Sequence, residues 1–259
     1  MSEILRSHSH IDKIHPRWQP LLAGLIESAC SYWGEALLAV YLLGSIGRGQ
    51  EQIGSSDLDL ELVIDHKATD AEKAWAEALS EQTLAEWPDL LKIDLDLLHV
   101  DLLLAPDSQR QRFIFSSDGL KLWGQELLPE TEPWVPGPEL AFLLNSHYVW
   151  ARDEILRCLT SPTPEEQANP RHVAECLHWI SKQALRLGLG LAMYKQPVYT
   201  RRVAEMPKLA GELVPGIREL LEQVYAMYRQ PANETDRALA FMQSLEPLYQ
   251  LADQRWQTR

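Results

Sequence analysis

A strictly alternating segment, DLDLELVID at 57–65, constrains the fold of this chain more than any other part of the sequence. Side chains alternate between the two faces of a β-strand, so Asp57, Asp59 and Glu61 share one face and leucines occupy the other. The leucine face must be buried, and the carboxylate face must stay polar. The segment therefore predicts a strand whose sheet is buried on one side and carries carboxylates on the other.

Neighbouring segments predict that this strand belongs to an α/β unit. The apolar run at 36–43 predicts a buried strand that ends in a tight turn at Gly44. The segment at 90–100 alternates again and predicts a further strand, with Asp94 and Asp96 on a shared face. The remaining predicted elements of this half are helices at 17–34 and 69–87 and a short strand at 119–123.

The character of the sequence changes near residue 130. TEPWVPGPE, at 131–139, is rich in proline and glycine and predicts a linker. Beyond it, the spacing of apolar residues predicts helices alone, at 138–160, 170–194, 209–229 and 234–256. We therefore predict an α/β domain at 1–130 followed by an all-α helical bundle at 131–259.

The net charge of −13 is concentrated in the first half of the chain. Residues 1–130 hold 22 acids and 10 Lys/Arg, whereas residues 131–259 hold 15 acids and 14 Lys/Arg. Repulsion from phosphates argues against nucleic acid as a partner. An acidic surface suits a metal ion or a cationic substrate, although solubility alone also explains it.

Composition also predicts the compartment. No apolar run approaches the ~18 residues of a membrane span, and the polar N-terminus does not resemble a secretory signal. Cys30, Cys158 and Cys176 are too few and too scattered for a disulfide framework or a zinc site. We therefore expect a cytoplasmic protein without a membrane partner.

The candidate chemistry lies in LLGSIGRGQEQIGSSDLDLELV, at 42–63. Gly44 allows a sharp turn at the end of a strand, where Ser45 and the following amides can face an anion. Asp57 and Asp59 point the same way from their strand, and their charges repel unless a divalent ion neutralises them. Taken alone, an Asp-x-Asp pair on a strand favours an ordinary solvated face, and the upstream Gly-Ser reverses this balance only through the family resemblance that it completes.

GSIGRGQEQIGSSDLDL, at 44–60, resembles the signature of the DNA polymerase β-type nucleotidyltransferases, in the form found in small-molecule and minimal transferases. Arg48-Gly49 and Ser56-Asp57 are part of this resemblance, which covers about residues 17–127. It implies a short mixed sheet with flanking helices, an α/β (α+β) nucleotidyltransferase domain. It also implies a set of nucleotide-binding residues for ATP or another NTP, namely Gly44, Ser45, Arg48 and Ser56, and two Mg²⁺ ions held by Asp57 and Asp59.

The same family requires a third carboxylate on a later strand. Asp94, in the context Lys-Ile-Asp-Leu, resembles that residue and is our choice as the third catalytic and metal-binding acid. Asp96 shares its face and is the alternative, whereas Asp101 points away if the strand continues. The resemblance implies that the third acid helps to take a proton from the attacking hydroxyl, while two metals stabilise in-line attack on the α-phosphate.

The helical half shows a second, less specific resemblance. ALRLGLGLAMYKQPVY at 184–199 and IRELLEQVYAMY at 217–228 are similar to the C-terminal bundle of aminoglycoside nucleotidyltransferases, particularly the streptomycin/spectinomycin adenylyltransferases. The basic segment 195–208 contains Lys195 and Lys208, which a bundle folded over the site would bring to the phosphates. A solvated loop explains the same segment.

Together, the resemblances imply transfer of AMP from ATP to a hydroxyl of a small molecule. Aminoglycoside antibiotics are the leading acceptor class, because the helical half resembles the bundle of the aminoglycoside enzymes and an acidic catalytic half would attract a polycation. The alternatives are transfer of AMP onto a partner protein and a catalytically silent nucleotide-binding module. The attached helical domain counts against the first alternative, and the complete set of acids counts against the second. The sequence leaves the oligomeric state open.

Overall fold

The chain forms two compact units. The structure, a computed structural model, describes residues 4–5, 7–54, 56–105, 107–128 and 134–256. The described residues of Leu5–Trp134 form one unit, here the sheet unit, and those of Met1–Ile4 and Val135–Arg259 form the other, here the helical unit. The predicted boundary between 130 and 131 and the first part of the predicted linker, 131–133, lie outside the described residues. The division into domains at 1–130 and 131–259 therefore stays a prediction.

A four-stranded mixed sheet forms the centre of the sheet unit. Its strands are β1 (Leu37–Leu43), β2 (Asp57–Ile64), β3 (Lys92–His99) and β4 (Leu120–Gly124). They lie in the order β3–β2–β1–β4. β1 pairs antiparallel with β2 and with β4, whereas β2 and β3 run parallel. The short mixed sheet expected from the sequence is thereby confirmed.

The alternation of β2 sorts its side chains as predicted. Leu58, Leu60 and Leu62 are at most 1% exposed and pack in one core cluster with apolar residues of the helix Gln19–Trp33, among them Leu21 and Leu25. Burying a leucine contributes about 1.5–3 kcal/mol. The acidic residues of the strand consequently lie on the opposite face of the sheet.

Within its described residues, the sheet unit also contains five α-helices: α1 (Gln19–Trp33), α2 (Ser45–Arg48), α3 (Asp70–Glu86), α4 (Val100–Leu104) and α5 (Gln109–Asp118). α1 and α3 correspond to the predicted helices. α4 and α5 were not predicted, because the alternating segment of β3 runs directly into α4. In α5, two aromatic residues two positions apart, Phe113 and Phe115, are both buried, which is not a helical spacing readable from sequence.

The helical unit contains helices packed around one long central helix. Its helices are α6 (Pro138–Asn145), α7 (Tyr148–Thr160), α8 (Pro164–Ala168), α9 (His172–Met193), α10 (Met206–Leu213), α11 (Arg218–Arg229), α12 (Thr235–Ser244) and α13 (Glu246–Trp256). α9 packs against α6, α7, α10, α11, α12 and α13. This all-helical second half confirms the predicted architecture. Within the described part of the chain, no helix is long and apolar enough to cross a membrane.

Three of the predicted helices are each two helices in the structure. The predicted 138–160 breaks between α6 and α7, and 209–229 breaks where Pro215 and Gly216 separate α10 from α11. The backbone of Gly216 has φ +86°, outside the helical range, so a continuous helix cannot run from α10 into α11. The predicted 234–256 breaks at Leu245. Short turns of this kind leave the apolar spacing on either side intact, so the spacing alone predicted continuous helices.

A carboxylate network fixes the start of α3. Thr69 caps the helix, and its amide and hydroxyl both donate to Glu72 Oε2 at 2.7 Å. Trp33 Nε1 donates to Glu72 Oε1 at 2.8 Å, and His66 Nε2 lies 2.8 Å from the same oxygen. Burial opposes ionisation of Glu72, but the hydrogen bonds from Thr69, His66 and Trp33 outweigh it and lower its pKa to about 2.

The depressed pKa of Glu72 predicts how stability depends on pH. An acid whose pKa falls on folding stabilises the protein above its unfolded pKa, and the gain is lost as pH falls through the folded pKa. Glu72→Gln should lower the free energy of unfolding by about 1.5–3 kcal/mol at neutral pH. The difference from wild type should shrink as pH falls from 4.5 to about 2. Urea unfolding followed by tryptophan fluorescence measures this, and a difference independent of pH would contradict it.

Candidate active site

The parallel pairing of β2 with β3 places acidic residues side by side. Asp59 pairs directly with Asp94, and Glu61 pairs with Asp96. Directly paired residues lie on the same face of a sheet, on strands ~4.8 Å apart. Because Asp57 shares this face with Asp59, the structure brings all three predicted acids to one surface. The register also distinguishes the two candidates for the third acid, since Asp94 and not Asp96 lies opposite Asp59.

Burial and mutual repulsion both disfavour negative charge on this face. Burial, followed by the charges of Asp96 and Asp59, raises the pKa of Glu61 to about 8. Burial and the charge of Asp94 also raise the pKa of Asp96, while the Lys92 ammonium opposes this shift. Lys92 Nζ lies 2.7 Å from Asp94 Oδ1. This face of the sheet therefore favours the binding of protons or other cations.

The donor chemistry of these residues fits magnesium. Asp57, Asp59 and Asp94 offer carboxylate oxygens, which are the ligands that Mg²⁺ prefers in proteins. Within the described residues, however, no three His, Cys, Asp or Glu side chains form a ready group of metal ligands. Asp94 instead contacts Lys92. The metal-binding role of the three acids therefore stays a prediction.

Gly44 brings the turn after β1 against Asp59. The last residue of β1, Leu43, pairs with Asp59, and Gly44 follows with φ +86° and ψ −160°. A Cβ atom on Gly44 would lie 2.9 Å from Asp59 Oδ2. Residues other than glycine rarely adopt this backbone conformation. The sharp turn predicted at Gly44 is confirmed, and only glycine brings it so close to the carboxylate.

Ser45 and Ser56 hold the loop between α2 and β2. Ser45 Oγ donates to Ser56 Oγ at 3.3 Å, and the amide of Gln52 donates to the same oxygen at 2.7 Å. The carbonyl of Ser56 accepts from the Leu91 amide at 3.0 Å, which ties the start of β2 to the start of β3. Both serines therefore lie beside the acidic face, and their binding of nucleotide stays a prediction.

Arg48 contacts a residue that the sequence did not point to. Its Nη1 donates to Oδ1 of Asp118, and the amide of Gly44 donates to Asp118 Oδ2 at 3.3 Å. The side chains of Arg48 and Asp118 are only 13% and 7% exposed. Asp118 is the last residue of α5, a helix that the sequence pattern did not reveal. An acid at a helix C-terminus is electrostatically unfavourable. Had the sequence revealed α5, the position of Asp118 at its end would have indicated that this acid has a compensating partner.

Lys195 and Lys208 belong to the helical unit. The amide of Lys195 donates to the Ala192 carbonyl at 2.8 Å just after α9, and its side chain is exposed. Lys208 is an exposed residue of α10. Between them, Arg202 forms an ion pair with Glu205 at 3.2 Å. Contact of either lysine with a nucleotide stays a prediction.

Comparison with solved structures defines the class of fold. The chain has a nucleotidyltransferase-like fold, with an α+β domain and a helical region. The similarity is to spectinomycin adenyltransferase AAD(9) from Enterococcus faecialis, in a crystal structure with ATP and spectinomycin. Sequence identity is 12%, 90% of this chain and 99% of that chain are covered, and the TM-score is 0.52. No protein-family model matches the sequence, and no curated protein matches it.

The geometry of the turn predicts a strong effect of one added methyl group. Gly44→Ala should lower the free energy of unfolding by about 1–3 kcal/mol, because alanine is strained at this φ, and should displace the Asp59 carboxylate. Gly24→Ala is the matched control, since a Cβ at Gly24 in α1 meets nothing within 4 Å. It should stabilise the protein by about 0.5–1 kcal/mol. Thermal unfolding of both variants measures this, and equal stabilities would refute it.

Proposed function

We propose that this chain is a Mg²⁺-dependent nucleotidyltransferase that transfers AMP from ATP to a hydroxyl of a small molecule. The observation that carries the proposal is the placement of Asp59 between the Gly44 turn on one side and Asp94 on the other. Carboxylates beside a Gly-Ser turn are what the polymerase β-type signature requires. The nucleotidyltransferase-like fold supports the same class of reaction.

The proposed reaction assigns a role to each residue. Gly44, Ser45 and Ser56 position the triphosphate, while Asp57, Asp59 and Asp94 would hold two Mg²⁺ ions. Bound Mg²⁺ supplies charge stabilisation and lowers the pKa of a coordinated hydroxyl. Asp94 is the carboxylate to which we assign the proton of the attacking hydroxyl. The acceptor oxygen bonds to the α-phosphorus, the bond from that phosphorus to the leaving oxygen breaks, and pyrophosphate departs.

Two further lysines complete the proposed set of phosphate ligands. Lys195 and Lys208, both exposed residues of the helical unit, are assigned this role from the resemblance of their segment to the bundle of aminoglycoside nucleotidyltransferases. Their ammonium groups suit phosphate as point charges. Replacing either lysine by methionine would test the assignment separately from the role of the carboxylates.

The acceptor we propose is a cationic aminoglycoside-type antibiotic. The acidic balance of residues 1–130, with 22 acids and 10 Lys/Arg, favours a polycation over an anionic acceptor. The similar adenyltransferase was solved with ATP and spectinomycin. A cytoplasmic location fits ATP as the donor, and three scattered cysteines fit a reducing compartment.

A transfer assay read by mass spectrometry tests the proposal. Purified protein, Mg²⁺ and each of the four NTPs are incubated with a panel that includes spectinomycin, streptomycin and other aminoglycosides. A mass gain of one nucleotide on a panel member, absent with Asp57→Asn/Asp59→Asn, is the expected result. Pyrophosphate release with mass gained only by a protein would shift the proposal to protein AMP transfer. If the protein neither releases pyrophosphate nor binds any NTP, the proposed enzymatic function is refuted.

The strand register predicts which later acid is essential. Asp94→Asn should lower the transfer rate by about 100-fold or more, the order expected when one preorganised charged group is lost. Asp96→Asn should lower it much less, since Asp96 lies opposite Glu61. Asp101→Asn is the matched control, because Asp101 belongs to α4 and is exposed, and it should leave the rate unchanged. A larger loss for Asp96→Asn than for Asp94→Asn would reverse the assignment.

A further inference from the structure

We infer that Asp118 is a positioning residue that sets the turn at Gly44 and, through it, the distance between Ser45 and Asp59. This inference rests on the proposed function, because it concerns the geometry of that same site. Asp118 lies in the sheet unit but outside the segment that carries the sequence signature. It acts through Arg48 and the Gly44 amide, which its two carboxylate oxygens contact separately.

The position of Asp118 is costly unless it is paired. Its side chain is 7% exposed, and a buried carboxylate loses most of its hydration. It also ends α5, where the helix dipole disfavours negative charge. The Arg48 guanidinium offsets both costs with a charge-assisted hydrogen bond. A buried ion pair is favourable only while its hydrogen bonds keep good geometry. The pair therefore restrains the backbone segments that carry Arg48 and Asp118.

Gly44 lies between two carboxylates. Its amide donates to Asp118 Oδ2 at 3.3 Å, while its Cα faces Asp59, whose Oδ2 would lie 2.9 Å from an added Cβ. Any shift of Gly44 therefore changes the spacing between Ser45, which follows it, and the proposed metal ligand Asp59. Spacing errors of about 1 Å at such a site are expected to cost about 100-fold in rate.

The segment before α1 anchors the same arrangement through the backbone. Ser9 Oγ donates to the carbonyl of Asp118 at 2.6 Å. The next residue, His10, donates its amide to the carbonyl of Gly47 in α2 at 3.0 Å. The end of α5 and the short helix α2 are therefore both hydrogen-bonded to the same segment, residues 9–10. These contacts leave the Asp118 carboxylate directed at Gly44 and Arg48.

The same contacts redefine the role of Arg48. The sequence resemblance assigns Arg48 to the nucleotide, yet its side chain is 13% exposed and its guanidinium is engaged by Asp118. We therefore assign Arg48 an indirect role in nucleotide binding: it holds the Asp118 carboxylate, which in turn positions Gly44. The two roles differ in one measurable respect. A direct ligand is lost in any Arg48 variant, whereas a positioning pair is restored by a compatible neutral pair.

A double-mutant cycle tests this assignment. The variants are Asp118→Asn, Arg48→Gln and the double variant, in which the two side-chain amides can bond to each other while Asn still accepts from the Gly44 amide. Glu72→Gln is the matched control, a buried carboxylate of the same unit whose hydrogen bonds go to Thr69, His66 and Trp33 and not to the Gly44 turn. Calorimetry measures binding of Mg²⁺ with whichever NTP the wild type binds most tightly. Thermal unfolding confirms that each variant is folded at the temperature used.

We expect each single variant to weaken nucleotide binding about tenfold, equivalent to about 1.4 kcal/mol, and the double variant to recover to within about threefold of wild type. The donor KM should rise in the single variants while the acceptor KM stays unchanged. Glu72→Gln should lower the unfolding temperature without changing the donor KM. A general loss of stability would not produce this difference between the two substrates.

Two results would overturn the inference. One is a double variant that binds no better than Arg48→Gln, which would make Arg48 a direct ligand of the nucleotide. The other is single variants that bind nucleotide as the Glu72→Gln control does. If wild-type protein binds none of the four NTPs, the proposed function fails instead. The unfolding temperatures then decide the pairing: recovery in the double variant supports it, and additive losses overturn it.

Discussion

The parallel, in-register pairing of β2 with β3 is the constraint on which the site depends. On the other face of the sheet, Leu58, Leu60 and Leu62 are buried in one core with residues of α1, a gain of about 5–9 kcal/mol in total. Two carboxylates 4 Å apart repel each other by about 1 kcal/mol in water and about 4 kcal/mol near a protein surface. Burial therefore exceeds the repulsion between Asp59 and Asp94. A slip of one residue would bury the acids and expose the leucines, so the core that stabilises the sheet also holds the acidic face together.

Local patterns predicted the features that depend on local physics. The period-two alternation of 57–65 predicts which face of the strand is buried. Gly44-Ser45 predicts a turn, and its positive φ at Gly44 would be strained for any other residue. The choice between Asp94 and Asp96 depended on resemblance, because register between strands distant in sequence has no local signature. The structure supplies that register directly. It leaves the chemistry of the three acids as a proposal, since proximity on a face does not establish a bound metal.

Asp118 illustrates what sequence reasoning could not reach. Its proposed role arises from its contact with Arg48, a residue 70 positions away along the chain. Asp118 also lies at the end of a helix whose apolar residues show no readable helical period. Similar limits apply to the helical unit, where the apolar spacing predicted α9 almost to its ends but concealed the breaks between α6 and α7 and between α10 and α11. Periodicity reports burial, whereas turns and long-range ion pairs depend on the assembled fold.

The negative charges near the Gly44 turn are balanced in two different ways. Asp118 is buried and is matched by a cation of the protein itself, Arg48, so its charge is fixed as part of the scaffold. On the acidic face of β2 and β3, four aspartates share a single lysine of these described strands, Lys92, while burial raises the pKa of Glu61 to about 8 and keeps it largely protonated at neutral pH. A permanent internal cation suits a residue that positions the loop. An excess of carboxylates suits a cation that arrives with its substrate, as Mg²⁺ does with a nucleoside triphosphate. This division of charge is the physical reason to assign scaffolding to Asp118 and chemistry to the acids of the sheet.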